Sequence, residues 1–349
     1  MNATPRALGF GIIGTGMIAG YHAQAIAALR GARLVGVASR SRESAAAFAA
    51  KHQLGWSGTL NELLARPDVD VVCITTPSGA HLEPALAAIA AGKHVVIEKP
   101  IEITPARVDT ILAAAAQAGV QVVPIFQARF GPGARAVKSA LAAGRLGRLA
   151  LASIYVKWFR APAYYSGWKG TRDLDGGGVV INQSIHGLDL LQWFAGLPAE
   201  VFAWTTRRGH TGIESEDTAA ATWRFPDGAL GAFEASTAAW PGWARRIELN
   251  GDAGSICLED DRLVRWEFAR PLPGDQAILA AKSDDSLRTG ATAPNAISFA
   301  GHQAQLQDFV DALAAGRAPA LDGAEGRKAV ALVHAIYASA ERGLPVRVS

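Results

Sequence analysis

From residue 8 to about 126, short apolar runs alternate with alanine-rich stretches whose apolar positions recur at helical spacing. The runs "LGFGIIG", "ARLVGVAS", "VDVVCITT", "KHVVIEK" and "VQVVPIF" are continuous enough to be strands buried on both faces. Strands of this kind alternating with helices predict a parallel sheet covered on both sides. After residue 148 the texture changes to longer half-polar runs: "RLALASIYVKWF", "AEVFAWTTRRG", "DTAAATWRFPDGALGAFEAST" and "ARRIELNGDAGSICLED". Their "PDG" and "NGDAG" turns suit hairpins, so the second half should hold a mostly antiparallel open sheet, one face of which needs a cover or a partner. Between the halves, "GPGARAVKSALAAGRLGRL" predicts a helix that carries the chain across. From Leu321 to Gly343 the apolar positions return to helical spacing, and a glycine closes the run. The expected organisation is α/β throughout: a doubly wound Rossmann domain over residues 1–126, then a substrate-binding and oligomerisation α/β domain over 127–349 whose last helix packs back on the first.

Composition narrows the function classes. A chain of 349 residues exceeds what one core usually supports, and half of its residues are apolar. Charged residues make up 19% and the net charge is +3, so no basic stripe speaks for nucleic acid. Cys73 and Cys257 sit far apart in strand-like runs, which suits buried reduced thiols and a cytoplasmic setting. Arg6 precedes a glycine-rich strand without a separate apolar leader, and no apolar run reaches membrane-spanning length.

The chemistry begins at "GFGIIGTGMIAG". Gly14, Gly16 and Ala19 form G-x-G-x-x-A directly after a strand and before helix-like "YHAQAIAAL". Glycine permits the tight turn and the close backbone approach that a pyrophosphate at a helix N-terminus requires. Thr15, Met17 and Ile18 complete that turn as candidate cofactor contacts. The second strand should end at the ribose, where an acid usually marks NAD(H); here "SRSRES" offers Ser39, Arg40 and Arg42 instead. A phosphate suits that set, so NADP(H) is favoured and NAD(H) stays open; the alternative is a solvated basic loop with Ser41 capping the next helix.

Residues that close strands of a doubly wound sheet share one rim. Thr75, Thr76 and Pro77 close one strand, Glu98, Lys99 and Pro100 the next, and Gln127 follows a third; His81 joins them as a candidate cofactor contact. That rim would bring Lys99 near a nicotinamide. In the second half, "LDGGGVVINQSIHGLDLLQWFAG" sets a glycine triplet, suited to close approach to a ligand, before Asn182, Gln183 and His186. Asn182 and His186 lie four residues apart, on one helical face. Histidine titrates near neutrality and suits a hydroxyl proton, although a lone helical histidine is more often structural. Asp189 can pair with or orient a neighbour, and Trp193 is expected in the core. "KWFRAPAYYSGWKGTRDLDGGG" mixes Trp158, Arg160, Tyr164, Tyr165, Trp168 and Lys169, aromatic planes with cations that suit a sugar ring and an anionic substituent.

With these stretches in view, the chain resembles the glucose-fructose oxidoreductase, inositol dehydrogenase and MocA-like oxidoreductases. "GTGMIA", "TPSGAHLEPALAAIAAGKHVVIEKP", "GGGVVINQSIHGLDLLQW" and "GAEGRKAVALVHAIYASAERGLPV" carry the resemblance over nearly the whole length. It implies a Rossmann domain, an open-sheet second domain often used for oligomer contacts, and hydride transfer between a nicotinamide and a sugar-like or polyol hydroxyl. It also implies that Lys99 is the catalytic lysine of the EKP signature, that His186 is the catalytic histidine, and that Pro100 follows a cis bond. Many members carry an aspartate four residues before the histidine. Asn182 stands there instead, and an amide cannot exchange a proton, so acid/base work falls to His186 with Lys99. The "NQ" pair is similar to a branch acting at sugar C3 that includes UDP-N-acetylglucosaminuronate 3-dehydrogenases.

The expected partner is thus a small sugar or polyol, with no nucleic acid or membrane, in a homodimer or homotetramer. A glycosidase that recycles its own bound NAD and a non-catalytic dinucleotide sensor are the competing readings.

Overall fold

A computed structural model describes residues 6–281 and 298–349. Two compact units emerge, residues 1–127 with 299–327, and residues 128–298 with 328–349.

In the first unit six strands lie parallel in the order β3-β2-β1-β4-β5-β6: β1 (Leu8–Ile13), β2 (Ala32–Ala38), β3 (Ser57–Gly58), β4 (Val71–Ile74), β5 (His94–Ile97) and β6 (Val122–Pro124). Order reverses beside β1, the topological switch point where α/β sheets take their ligands. Helices α1 (Met17–Ala27), α2 (Arg42–Lys51), α3 (Leu60–Leu64), α4 (Leu82–Ala90) and α5 (Pro105–Ala118) connect them. The starts are written in the chain: Ser41 caps α2 by accepting the Ser44 N–H, Thr59 and Glu62 form a capping box on α3, and Thr104 followed by Pro105 opens α5. Residues 299–327 return to this unit. Their helix, Ala300–Ala315, adds Leu306, Phe309 and Val310 to the core that holds Phe10, Ile12 and Ile26. Fully burying side chains of that size contributes roughly 1.5–3 kcal/mol each. Gln305 fastens the helix to the end of β6, accepting the Phe126 N–H at 3.0 Å and donating to the Pro124 carbonyl at 2.6 Å.

The second unit carries an eight-stranded sheet in the order β13-β12-β11-β7-β10-β9-β8-β14. Its strands are β7 (Leu149–Lys157), β8 (Glu200–Thr206), β9 (Thr218–Arg224), β10 (Leu230–Ser236), β11 (Arg246–Gly251), β12 (Gly254–Glu259), β13 (Arg262–Phe268) and β14 (Val346–Arg347). All neighbours run antiparallel except β7 and β10. Hairpins fall at the "PDG" and "NGDAG" turns. Strand alternation sends Ala152, Ile154 and Val156 inward, while Leu151, Trp204 and Leu230 stand exposed on the opposite face. The unit's helices are α6 (Pro132–Ala142), α7 (Ile185–Ala195) and the short α8 (Asp275–Ala280). After them come α9, the returning Ala300–Ala315 helix, and α10 (Gly323–Arg342), closed by Gly343 at φ 65°. Among the described residues no helix is long and apolar enough to cross a membrane.

Candidate active site

In the first unit, β1 hands the chain to α1 through Gly14, whose φ of +106° suits glycine. A Cβ there would stand 2.8 Å from the Thr75 hydroxyl, which donates to the Ile13 carbonyl. Gly16 begins α1 without a side-chain cap; nothing lies within 4 Å of where its Cβ would be, and no acid occupies the first turn. Thr15 and Ile18 are half-buried and Met17 is exposed, while Ala19 is buried and lets α1 sit close to the sheet. These N–H groups, open space and absence of negative charge fit a dinucleotide pyrophosphate.

Past β2, the basic loop divides. Arg40 is exposed and Ser39 half-buried. Arg42 instead donates to Glu62 at 2.7 Å, and Ser41 is spent on the α2 cap. The Arg42 guanidinium, with the Thr59 N–H and hydroxyl, brings the Glu62 carboxyl down to about 2.

The rim is held from behind. Pro77 opens the short turn that leads to α4, and Thr76 closes it by donating to the Ala80 carbonyl. His81 is buried, its Nδ1 2.9 Å from the Pro100 carbonyl and its Nε2 3.0 Å from that of Thr76. Burial lowers its pKa against the pull of those carbonyls. The imidazole therefore sits between two rim segments, and its one N–H donates to one of these backbone carbonyls.

Glu98 is likewise buried. Its Oε1 lies 2.8 Å from His22 Nε2 and 3.2 Å from His302 Nε2, and its Oε2 accepts the Lys99 N–H at 3.2 Å. Burial alone would raise its pKa, but the two imidazole hydrogen bonds outweigh it and hold the carboxyl well below its ordinary range. Among the described residues this is the one cluster of metal-ligand type. Two Nε2–H donors meeting one carboxylate oxygen satisfy it as hydrogen bonds. Lys99 follows, half-buried, with a cis bond to Pro100, and Gln127 is half-buried at the start of a 3₁₀ turn.

In the second unit, β7 leads into the aromatic and cationic loop. Trp158 is buried, and the buried Arg160 guanidinium lies 4.9 Å from its ring and 5.2 Å from that of Tyr164. Desolvation lowers the Arg160 pKa, opposed by Tyr164. Lys169 Nζ sits 3.8 Å from the Tyr164 ring centre, and Gln183 donates to the Tyr164 hydroxyl at 3.2 Å. Tyr165 turns instead to Thr237 at 2.7 Å, and Trp168 is half-buried, its carbonyl taking the Thr171 hydroxyl. Arg160, Tyr164, Lys169 and Gln183 are thus brought together, with Tyr165 edge-on to Tyr164 at 5.1 Å.

Two expectations about the glycine triplet change. A Cβ on Gly177 would lie 2.1 Å from the Tyr337 hydroxyl, and one on Gly178 would lie 1.7 Å from the Glu216 carbonyl. The close approach is therefore to the protein's own chain. Residues Val179–Gln183 then form a π-helical turn rather than the start of α7, so Asn182 and His186 do not follow one regular helical face. Glu216 holds that turn: its carboxylate accepts the N–H groups of Gly178 and Val180 and the Tyr337 hydroxyl, which in turn accepts the Ile181 N–H. Burial pushes the Glu216 carboxyl up to about 7 against these hydrogen bonds. His186 is half-buried in the first turn of α7, and Asn182 donates to the buried Asp175.

Asp189 is structural. It takes a bidentate pair from Arg129 at 2.8 and 2.7 Å, both groups being buried. Asp189→Ala would deprive that buried guanidinium of its carboxylate, so urea denaturation should show a loss of about 3–5 kcal/mol. Trp193 is half-buried rather than in the core, its ring within 5.4 Å of the Arg129 and Lys138 cations. His22, Asp175, Glu216, His302 and Tyr337 are the supporting residues that motif reading passed over; the acid directly before the glycine triplet was the available signal.

The chain is similar to known proteins along most of its length. The family model of the oxidoreductase family with an NAD-binding Rossmann fold matches residues 8–126, and that of the GFO/IDH/MocA C-terminal domain matches 134–257. The 1,5-anhydro-D-fructose reductase of Ensifer adhaerens is 34% identical over 71% of this chain and 74% of its own. The inositol 2-dehydrogenase of Rhizobium meliloti is 27% identical over 95% and 96%. Among solved structures, the WlbA dehydrogenase from Bordetella pertussis in complex with NADH and UDP-GlcNAcA superposes with a TM-score of 0.87 at 30% identity, covering 99% of both chains. With matches to both domains and a relative above 30% identity over most of its length, this chain belongs to the GFO/IDH/MocA family of oxidoreductases, whose nicotinamide cofactor its first unit is built to hold.

Proposed function

We propose that this protein interconverts a secondary hydroxyl and a ketone on a sugar or cyclic polyol, using a nicotinamide dinucleotide. The observation that carries the reading is the start of α1, where Gly14 makes the turn and Gly16 leaves an uncapped helix end in open space. The names of the relatives support the substrate class: an anhydrosugar reductase, inositol dehydrogenases and a dehydrogenase solved with a nucleotide sugar.

When bound, the nicotinamide supplies or accepts the hydride. Lys99 and His186 serve the oxygen. In the oxidative direction His186 takes the hydroxyl proton while the Lys99 ammonium donates a hydrogen bond to the same oxygen as charge develops on it. In reduction His186 returns the proton. Thr75, Pro77 and Gln127 are proposed to line the cofactor. His81 and Glu98 serve it through their hold on the loop that carries Lys99. Trp158, Arg160, Tyr164, Tyr165, Trp168, Asn182 and Gln183 are proposed for the substrate. The buried Arg160 with Lys169 suits a sugar carrying an anionic group.

The cofactor preference proposed is NADP(H), resting on Arg40 with Ser39. Arg42 is engaged by Glu62, so the guanidinium available for a 2′-phosphate is that of Arg40. Arg40→Ala should lower NADP(H) affinity by about tenfold to a hundredfold, the loss of one charge-assisted contact, and leave NAD(H) affinity within about twofold. Nucleotide titrations of intrinsic fluorescence measure both.

The buried thiols Cys73 and Cys257 fit a cytoplasmic setting, and the exposed Leu151, Trp204 and Leu230 on the outer face of the second sheet fit a homodimer or homotetramer. The test of the activity is a panel of aldoses, inositols, anhydrosugars and nucleotide sugars incubated with NADP+ or NAD+, followed by absorbance of the reduced nicotinamide. Turnover of a ring alcohol sustains the reading. Silence across the panel, with nicotinamide released only on denaturation, rejects it in favour of an internally recycled cofactor.

A further inference from the structure

Asp175 stands directly before the glycine triplet and is 1% exposed. One carboxylate oxygen accepts the Gly170 N–H at 2.8 Å, and the other accepts from the Asn182 side-chain amide at 2.5 Å. The edge of Asn182 that meets Asp175 is the amide nitrogen, so the amide oxygen points to the opposite side. The same carboxylate therefore fixes the end of the aromatic and cationic loop, at Gly170, and the orientation of the amide in the π-turn. Gln183, the next residue, reaches the same loop through Tyr164.

We propose that Asp175 is a positioning residue that fixes Asn182 as a hydrogen-bond acceptor, so that position 182 selects a substrate group able to donate, a hydroxyl or an amide N–H. This rests on the proposed substrate role of Asn182. It follows that a carboxylate at 182 is excluded here, because it would stand within hydrogen-bond distance of a second buried carboxylate.

Three variants test the assignment: Asn182→Asp, Asp175→Asn, and the exchange that combines them. The first confronts two carboxylates. The second leaves two amides, either of which can turn over. The exchange restores one amide donating to one carboxylate and again presents an acceptor at 182. In each single variant kcat/KM should fall about tenfold to a hundredfold, in Asp175→Asn chiefly through KM for the substrate, with the dissociation constant of the nicotinamide unchanged. The exchange should recover to within about threefold of the unmodified enzyme. Full activity in Asn182→Asp, or an exchange no better than the weaker single variant, would overturn the proposal.

A second arm reads the pair whether or not the panel finds a substrate. The melting temperature of Asn182→Asp should drop below that of the unmodified protein by a margin that widens as pH rises, since each proton lost adds like charge, and the margin should close in the exchange. A margin that is absent, or that persists in the exchange, rejects the Asp175–Asn182 pairing itself. Failure of the panel with this arm intact rejects the substrate reading alone.

Discussion

Lys99→Met leaves the protein folded and able to bind its dinucleotide, and turnover falls by about a hundredfold to a thousandfold, the range expected when one donor that stabilises a developing oxyanion is removed. The substitution retains the length and apolar stem of the side chain and deletes only the ammonium. The Lys99 backbone stays tethered, because its N–H bonds to Glu98 and Glu98 is held in turn by His22 and His302. Loss of kcat with an unchanged dinucleotide affinity is the diagnostic split. Near-normal turnover in Lys99→Met would remove the lysine from the chemistry.

His186→Gln is the companion experiment. Glutamine can hydrogen-bond to a hydroxyl but cannot take its proton, so kcat should fall by about 10²–10⁴, equivalent to roughly 3–5 kcal/mol of barrier. The turn that precedes it is built from backbone N–H groups fixed by Glu216 and Tyr337, so the glutamine should meet an undisturbed site. Stopped-flow measurement of the nicotinamide absorbance resolves the chemical step. If the histidine is the proton acceptor, the acid limb of the pH–rate profile disappears with it; a surviving limb assigns the proton to another group.

Much of the first unit was legible because its strands are unbroken apolar runs, alanine-rich stretches at helical spacing alternate with them, and Ser41 marks the start of α2. β3, two residues long, offers no periodicity to read, and β14 is equally short. The Rossmann turn was legible for a local reason: its two glycines and its alanine all lie within Gly14–Ala19. Glu98 was read as a cofactor contact from its place on the rim. Its partners are His22, 76 residues away, and His302, 204 residues away, and no spacing rule connects them. The glycine triplet misled in a similar way. Gly177 and Gly178 did signal close approach, but the approaching atoms belong to Glu216 and Tyr337, far along the chain. The π-turn was hidden because its bonding depends on those same two side chains.

The dependence of Glu98 on His302 also fixes an order of events during synthesis. The ribosome delivers the five principal strands of the first unit, β1, β2 and β4–β6, within 124 residues, yet Phe299, Leu306, Phe309 and Val310, which complete the core, emerge only after the whole eight-stranded sheet apart from its closing strand β14. Until then Glu98 has one imidazole partner rather than two, and the apolar flank that receives α9 faces water. A nascent chain halted before residue 299 would therefore expose this flank as a surface for chaperones. The support behind Lys99 is completed by the last seventh of the chain rather than by the segment that bears it.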